Sequence, residues 1–383
     1  MKKRKDFLSY GKQSIDETDI AAVVETLQSP FLTQGPKVEE FELAVAEYVG
    51  AKYAVAFANG TAALHGACFA AGFDKDDEVI TTPITFAATS NAVLYCGGTP
   101  VFADIDAETY NLDPASVRKN ISSRTKAIMP VDFTGQPVDL DAMMEIAQEY
   151  KLVVIEDGAH SLGAAYKGRK VGSQAHMTMF SFHPVKPITT GEGGIITTNS
   201  EEYYEKLKLF RSHGISKTPY SIEQGDWYYE MTNLGFNYRM NDIQAALGLS
   251  QLGKLDGFIE RRREIASLYN EKLIDVRGVV IPEQLEDTES GWHLYMIQLD
   301  ERVLGKSRRE VFDEMRAMNI GVHVHYIPVY WHPYYRDLGY ENVTCPIAEQ
   351  WYERALTLPI FPGMTDTDVE DVVESLKHII HTL

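Results

Sequence analysis

The stretch SFHPVKPITTGEGGIITT, residues 181–198, places one lysine between a Ser-Phe-His-Pro entry and a glycine-rich exit. Pro184 and Pro187 stiffen the backbone on either side of Lys186. Lysine side chains in loops usually face water, so a solvated lysine is the plain alternative. The β-branched run that follows the glycines is typical of a buried strand, which would anchor the loop. The pattern therefore predicts that Lys186 lies on a positioned loop.

Length and composition bound the class of protein and of partner. A chain of 383 residues, 44% of them hydrophobic, predicts a large domain with a smaller one. The formal charge of -19 disfavours a nucleic-acid partner, because such binding needs clustered Lys and Arg. The three cysteines show no disulfide or metal spacing, the basic start lacks a signal peptide's apolar stretch, and no segment is apolar enough to cross a membrane. We therefore expect a cytoplasmic protein.

Helical and strand patterns alternate over about the first 200 residues. Short apolar runs typical of strands occur at KYAVAFANG, DEVITTPITF, TPVFADID, TKAIMPVDFTG, KLVVIEDGAHS and HMTMFSF. Helical spacing occurs between some of them, as in NGTAALHGACFAAG and LDAMMEIAQEY. This alternation predicts an α/β fold whose strands are mostly parallel in a sheet flanked by helices on both faces. In such sheets ligands bind beyond the carboxyl ends of the strands.

The pattern changes near residue 255. A long helical stretch that begins at RMNDIQAALG is followed by the strand-like WHLYMIQLD and by the helical segments SRREVFDEMRAM and TDTDVEDVVESLKHII. We therefore predict a large domain over residues 1–254 and a smaller C-terminal α+β domain over residues 255–383. The sequence shows no repeats. No long flexible linker separates the two domains, so we expect them to pack closely.

Two side chains of complementary chemistry follow neighbouring predicted strands. VVIEDGAH ends its strand at Asp157, and Lys186 lies in the loop after HMTMFSF. Because the carboxyl ends of parallel neighbours meet at one edge, the carboxylate and the amine can converge there. The plain alternative for Asp157 is a helix cap or a turn residue.

A third element, ANGTAAL at residues 58–64, has the composition of an anion cradle. Small residues that open a helix let backbone N–H groups reach a phosphate at the positive end of the helix dipole. An ordinary turn and helix cap would have the same composition. An amine, a carboxylate and a phosphate cradle in one cleft are the parts that a pyridoxal phosphate enzyme needs, since the lysine forms a Schiff base and the acid keeps the pyridinium nitrogen protonated.

Five motifs in order carry a resemblance to a known family: NGTAAL, TPITFAATSNA, IEDGAHSLGA, SFHPVK with GEGG, and NLGFNYRMNDIQAALG. From about residue 10 to the C-terminus the chain resembles the sugar-nucleotide aminotransferases of the fold type I pyridoxal phosphate superfamily. The resemblance implies pyridoxal 5'-phosphate as the cofactor and a homodimer with shared active sites. It also implies L-glutamate as the amino donor and a keto sugar nucleotide as the acceptor.

The resemblance also implies a role for individual residues. Lys186 would be the Schiff-base lysine and general acid-base, and Asp157 the partner of the pyridinium nitrogen. The remaining cofactor residues would be Thr61, Ala62 and Ser181 at the phosphate, Phe86 stacked on the ring, His160 on its other side, and Asn237 reaching the phosphate of the neighbouring subunit. Taken without the family, Phe86 and His160 could equally be core residues, and Asn237 a loop residue or a helix cap.

Three stretches resemble one branch of the family, which aminates UDP-linked sugars on the way to pseudaminic acid: SPFLTQGPKVEEFE, SFHPVKPITTGEGG and VHVHYIPVYWHPYYR. That likeness implies amination at C4 of UDP-2-acetamido-2,6-dideoxy-β-L-arabino-hex-4-ulose. His325 and Tyr326 are the candidate substrate residues, because Pro328 and Pro333 disfavour a regular strand there.

Alternative functions remain open at this stage. The acceptor could be another UDP- or dTDP-keto sugar, and the chain could be a catalytically silent regulator on the same scaffold. A sugar dehydratase of this family has histidine in place of the lysine, so Lys186 disfavours that activity.

Overall fold

A seven-stranded sheet lies at the centre of the computed structural model, which describes residues 3–381. The strands of the chain are β1 (Tyr53–Phe57), β2 (Glu78–Thr81), β3 (Thr99–Phe102), β4 (Thr125–Met129), β5 (Val153–Asp157), β6 (Ala165–Tyr166), β7 (Arg169–Lys170), β8 (Met177–Ser181), β9 (Gly194–Thr198), β10 (Ile215–Ser216), β11 (Glu230–Met231), β12 (Val279–Val280), β13 (Thr288–Glu289), β14 (Tyr295–Leu299) and β15 (Ala355–Leu358). The central sheet has the order β1-β9-β8-β5-β4-β2-β3, and within it β9 runs against its neighbours. The other pairs are parallel, which confirms the predicted mostly parallel sheet.

Helices cover both faces of this sheet. They are α1 (Glu17–Gln28), α2 (Pro36–Val49), α3 (Gly60–Ala70), α4 (Ala88–Tyr95), α5 (Pro114–Asn120), α6 (Leu140–Tyr150), α7 (Glu201–Arg211), α8 (Pro219–Gln224), α9 (Asp242–Leu252), α10 (Leu255–Leu273), α11 (Glu301–Leu304), α12 (Arg308–Ala317), α13 (Pro333–Tyr335), α14 (Pro346–Arg354) and α15 (Asp366–His381). Alternate residues of β1 show the two faces: Val55 and Phe57 pack with α3, whereas Ala54 and Ala56 pack with α2.

One predicted strand is shorter than its sequence indicates. The sequence predicts one strand-like run at DEVITTPITF, but β2 ends at Thr81 and the rest is a turn that leads into α4. Pro83 has no N–H to donate to a sheet ladder, so strand pairing stops before it. The long helical stretch near residue 255 is likewise two helices, α9 and α10, with Gly253 and Lys254 between them.

A second, three-stranded antiparallel sheet of order β12-β14-β15 lies in the C-terminal part. Its core includes side chains of α10, α12 and α15, and it also takes in Leu8 from the start of the chain. The helix α10 begins at Leu255, where the domain boundary was predicted. Its first turns pack with the large sheet through Leu255 and Ile259, and its later turns pack with the second core through Ile265 and Tyr269. The division into residues 1–254 and 255–383 stays a prediction.

Within residues 3–381, no helix has the length and the apolar composition that crossing a membrane requires. The first two residues of the basic start, Met1 and Lys2, lie outside the described residues.

A nearly buried ion pair clamps β1 between two helices. Glu42 of α2 accepts a hydrogen bond from the N–H of Ala56 at 2.7 Å and is paired with Arg211 of α7. The guanidinium of Arg211 also donates to the carbonyl oxygen of Ala56 at 2.7 Å. Both backbone groups of Ala56 therefore depend on one charge pair, with side chains 13% and 10% exposed.

We expect Arg211→Met to lower the free energy of unfolding by roughly 3 kcal/mol, because it leaves the Glu42 carboxylate buried without its counter-charge. Urea unfolding followed by circular dichroism would measure the loss. The matched control is Arg118→Met, which removes a half-exposed ion pair with Glu149 and should change stability little. Equal losses in the two variants would contradict the prediction.

Candidate active site

A cavity of about 910 Å³ opens where β5 and β8 end and α3 begins. Nearly all the site residues predicted from the sequence line it: Thr61, Ala62, Phe86, Asp157, His160, Ser181, Lys186, His325 and Tyr326. This is the carboxyl edge of the parallel strands, where ligands bind in sheets of this kind. The described fold thus brings together residues that are up to 265 positions apart, from Thr61 to Tyr326.

The loop that carries Lys186 is closed at its base by backbone hydrogen bonds. The N–H of Phe182 donates to the carbonyl of Gly193 at 2.9 Å, and the N–H of Thr190 donates to the carbonyl of Phe182 at 3.0 Å. Within the loop, the N–H of Lys186 donates to the carbonyl of His183 at 2.9 Å. These bonds hold Lys186 at the cavity wall.

The amine of Lys186 is poised near neutrality. Burial lowers its pKa to about 8, and the nearby carboxylate of Asp157 acts in the opposite direction. A lysine whose neutral form is accessible near pH 8 can act as a nucleophile or as a proton carrier. The side chain is half-buried, which keeps the amine reachable from the cavity.

Asp157 ends β5 as a buried carboxylate held by neutral donors. One oxygen accepts from the hydroxyl of Thr89 at 2.7 Å, and the other accepts from the N–H of Ala159 at 3.1 Å. Burial raises the pKa of Asp157, and these two hydrogen bonds together with Lys186 act against that rise. Each oxygen keeps a lone pair for a further donor, such as a protonated ring nitrogen.

The start of α3 has the form of an anion cradle. Asn59 caps the helix by accepting the N–H of Ala62 at 2.8 Å, which leaves the backbone N–H of Thr61 for a ligand. A Cβ on Gly60 would lie 3.2 Å from the hydroxyl of Ser181, so the helix start and that hydroxyl lie together. A Cβ on Gly194 would come within 2.6 Å of the Asn59 carbonyl, which explains a glycine at that point of the GEGG exit.

Aromatic and imidazole rings form two further walls. Phe86 is 64% exposed and its ring centroid lies 6.3 Å from that of Tyr326. His160 is buried, and its ring lies 4.4 Å from that of His293, which also lines the cavity. Within the described residues, neither histidine has a hydrogen-bond partner at Nδ1. Burial lowers the pKa of both imidazoles well below the usual range, so both are neutral.

The segment with the two candidate substrate residues divides between cavity and core. Tyr326 lines the cavity, whereas Tyr330, four residues on, is buried in a hydrophobic core. His325 lines the cavity too, and its Nδ1 lies 2.9 Å from the hydroxyl of Thr357. Burial lowers the pKa of His325 to about 3. The second half of the segment forms short helical turns at Val329–Trp331 and α13, in agreement with the expectation that no regular strand forms there.

Asn237 lies apart from the other predicted residues. It is exposed, is not part of the cavity wall, and forms an isolated bridge with Ser212. Its predicted role toward the phosphate of a neighbouring subunit stays a prediction.

Several residues at the site were not found from the sequence. Thr85 and Thr89 form a hydroxyl pair at 2.8 Å behind Asp157, and Tyr10 and His323 pack beside His325 at the cavity wall. His293 is a further cavity residue that the sequence did not indicate. Thr85 lies in the turn before α4 and Thr89 in its first turn, so helical spacing does not indicate the pair, and no local pattern points to His293.

The site fits pyridoxal 5'-phosphate on its own geometry. It combines an amine of lowered pKa, a buried carboxylate with free lone pairs, a capped helix start beside a hydroxyl, and a neutral histidine whose Nδ1 has no partner among residues 3–381. These are the groups that would hold the aldehyde, the ring nitrogen, the phosphate and the ring face of that cofactor.

Comparison with known proteins agrees with this geometry. At the level of sequence, the chain is 44% identical over 384 residues to the spore coat polysaccharide biosynthesis protein SpsC of Bacillus subtilis, with 99% of each chain covered. It is 39% identical over 376 residues to the UDP-4-amino-4,6-dideoxy-N-acetyl-β-L-altrosamine transaminase of Campylobacter jejuni, with 97% of each covered.

Solved structures show the same likeness. The fold matches Helicobacter pylori PseC, an aminotransferase involved in the biosynthesis of pseudoaminic acid, with a TM-score of 0.92 and 34% identity over 99% of this chain and 100% of that one. It matches the PLP-form of the putative sugar aminotransferase Spr1654 of Streptococcus pneumoniae with a TM-score of 0.91 and 30% identity over 98% of each chain.

The family model of the DegT/DnrJ/EryC1/StrS aminotransferases matches residues 13–377, almost the whole chain. Both the sequence relatives and the solved structures carry the likeness from end to end. This chain therefore belongs to the DegT/DnrJ/EryC1/StrS aminotransferase family, and it is a sugar aminotransferase that depends on pyridoxal 5'-phosphate.

Proposed function

We propose that this enzyme transfers an amino group from L-glutamate to C4 of UDP-2-acetamido-2,6-dideoxy-β-L-arabino-hex-4-ulose, a step toward pseudaminic acid. The observation that carries the proposal is the 39% identity to the Campylobacter jejuni transaminase, whose name places an amino group at position 4 of a 4,6-dideoxy sugar. The likeness to PseC points to the same class of substrate.

The proposed roles follow from the positions of the side chains. The cofactor, when bound, supplies a ring that accepts electrons from the carbon that carries the amino group. The buried carboxylate of Asp157 would keep the ring nitrogen protonated. The amine of Lys186, with a pKa near 8, would hold the cofactor and then carry a proton from one carbon to the other. Because that amine is already beside the reacting atoms, proximity would supply much of the rate.

The remaining predicted residues would bind rather than react. Thr61, Ala62 and Ser181 would surround the phosphate at the start of α3, where the positive helix dipole favours an anion. The donors would be the backbone N–H of Thr61 and the hydroxyl of Ser181, because the N–H of Ala62 donates to Asn59. Phe86 and His160 would enclose the ring from its two sides.

At the sugar end, His325 and Tyr326 would recognise hydroxyl or carbonyl groups. His325 is neutral at physiological pH because burial lowers its pKa to about 3, so it can donate or accept a hydrogen bond without adding charge. Tyr10 and His323 beside it extend the aromatic wall toward exposed surface.

We also propose that the active enzyme is a homodimer in the cytoplasm. The segment before Asn237 exposes large apolar side chains: Ile222 at 69%, Trp227 at 80%, Met231 at 67% and Leu234 at 76%. Exposed apolar surface of this kind marks an interaction site, and a second copy would cover it while bringing Asn237 to the other active site. The cysteines Cys68, Cys96 and Cys345 are free thiols, which suits a reducing compartment.

The test is to incubate the enzyme with L-glutamate and a panel of UDP- and dTDP-keto sugars, and to analyse the products by mass spectrometry and NMR. We expect the fastest turnover with the UDP-linked 4-keto sugar and an amino group at C4. Preference for another keto sugar would favour the alternative substrate. Absence of turnover on the whole panel, with a bound cofactor that glutamate does not aminate, would favour a silent regulator.

The low pKa of Lys186 predicts how fast the apoenzyme captures its cofactor. The neutral amine is the nucleophile, so capture should accelerate as pH rises and level off above a midpoint of about 8, rather than near 10.5. Stopped-flow absorbance of the bound cofactor would measure the rate. In Asp157→Asn the midpoint should fall below 8, because the carboxylate raises the pKa of the amine.

The control for this experiment is Lys186→Ala, which should bind the cofactor without covalent attachment. It should show neither the absorbance change of covalent capture nor turnover. A capture rate that keeps rising up to pH 10 would contradict the poised amine. Covalent attachment in Lys186→Ala, detected by mass after borohydride reduction, would remove Lys186 from its proposed role.

The shared active site can be tested with Asn237. One hydrogen bond to a charged group contributes roughly 1.5 to 3 kcal/mol, so Asn237→Ala should weaken cofactor affinity by about one to two powers of ten. Heterodimers of a Lys186→Ala chain and an Asn237→Ala chain, purified with two different tags, would hold one site with both defects and one with neither.

At limiting cofactor, these heterodimers should recover about half of the wild-type activity per dimer. Lys186→Ala homodimers carrying the same two tags are the matched control. If verified heterodimers show no recovery, the lysine and the asparagine of each site belong to one chain and the proposal is wrong.

A further inference from the structure

Asp132 is a buried carboxylate close to the active site to which neither the sequence motifs nor the proposed mechanism gives a role. It follows the end of β4 and is fully buried. It accepts hydrogen bonds from the hydroxyl of Ser161 at 2.5 Å and from the N–H of Val138 at 3.0 Å. Both donors are neutral, and burial raises the pKa of Asp132 to about 7. Burying a carboxylate costs free energy unless hydrogen bonds compensate for its lost hydration, so the groups that donate to Asp132 are informative.

What Asp132 holds is the turn after β5. Its N–H donates to the carbonyl of Asp157 at 3.1 Å, while its side chain takes the hydroxyl of Ser161. The turn between these two points is closed by the N–H of Ser161 donating to the carbonyl of Gly158 at 2.9 Å. Both ends of the five-residue segment from Asp157 to Ser161, which carries His160, are therefore attached to Asp132.

The turn has little freedom apart from this attachment. A Cβ on Gly158 would come within 2.9 Å of the Ser161 hydroxyl and 3.0 Å of the Met179 carbonyl. The hydroxyl therefore lies directly under the turn, and its loss would open space at the point that fixes the path from Asp157 to His160.

Asp132 also connects this turn to the loop of the second cavity histidine. The short helix Phe133–Gly135 begins right after Asp132, and the ring of Phe133 lies 6.1 Å from that of His160. The carbonyl of Thr134 accepts from the N–H of Leu294, the residue after His293, at 3.1 Å. One buried carboxylate thus lies where the segments of three cavity residues meet.

From this geometry we propose that Asp132, acting through the hydroxyl of Ser161, is a positioning residue that sets the orientation of Asp157 and His160 toward the cofactor ring. The inference rests on the roles proposed above for those two residues. It involves no contact of Asp132 with cofactor or substrate, since Asp132 is not part of the cavity wall.

The primary test compares two variants of the holoenzyme, each of which removes one hydroxyl that donates a hydrogen bond to a buried carboxylate. Ser161→Ala removes the bond to Asp132, and Thr178→Val removes a bond of 2.8 Å to Glu156 that does not involve the turn. We expect Ser161→Ala to change the visible circular dichroism of the bound cofactor, to weaken cofactor affinity about tenfold and to lower kcat about tenfold, with KM for the sugar within twofold. Thr178→Val should leave the dichroism unchanged.

Asp132→Asn separates position from charge. The asparagine can still accept from Val138, and its amide can donate to the Ser161 hydroxyl, which then turns to the Gly158 carbonyl 3.3 Å away. We therefore expect a smaller effect than in Ser161→Ala. A larger effect in Asp132→Asn would mean that the charge acts instead, and would overturn the proposal.

Equal dichroism and affinity in Ser161→Ala and Thr178→Val would also overturn it. Asp157→Asn provides the independent arm for the proposed function. If that variant keeps the wild-type spectrum and activity, the role of Asp157 fails. If it loses them while Ser161→Ala does not, only the positioning role of Asp132 fails.

Discussion

The cavity brings together a half-buried amine, Lys186, and a buried carboxylate, Asp157, at one edge of the sheet. Burial lowers the pKa of the amine to about 8 and raises that of the carboxyl. Their mutual attraction acts against both shifts. The strand register brings the two side chains together. Asp157 pairs with Met179 of β8, and the loop that follows β8 carries Lys186.

The supports around this pair keep the carboxylate available to the cofactor. Asp157 is held by a hydroxyl and a backbone N–H, neither of which neutralises it as an arginine would. In the proposed mechanism, its charge would therefore be available to the ring nitrogen. The neighbouring histidines are neutral through burial, so they add shape and hydrogen-bonding capacity to the cavity without competing for that charge. A carboxylate held in this way is what an electron-accepting pyridinium requires.

Most of the sheet and of the cavity wall could be predicted because both depend on strand ends, which are visible as apolar runs stopped by polar residues or glycine. Asp157 and Ser181 are the last residues of such runs, and Lys186 lies in the loop that follows the second run. The supporting contacts could not be predicted in this way. Thr89 donates a hydrogen bond to Asp157, 68 positions away, and Asp132 accepts one from Ser161, 29 positions away. Such pairs depend on which strands become neighbours, and no local pattern encodes that order.

The same limit applies to Asn237, whose proposed role follows from the family resemblance and requires a second chain. The side chain lies outside its own cavity, at the end of a segment that exposes Trp227 and Leu234 to solvent. Leaving so much apolar surface exposed costs free energy in a monomer, at about 25 cal/mol per Å² of apolar area. A second copy that covered the segment would remove this cost and would carry Asn237 toward the other cofactor site. Association and completion of the active site would then have one physical cause.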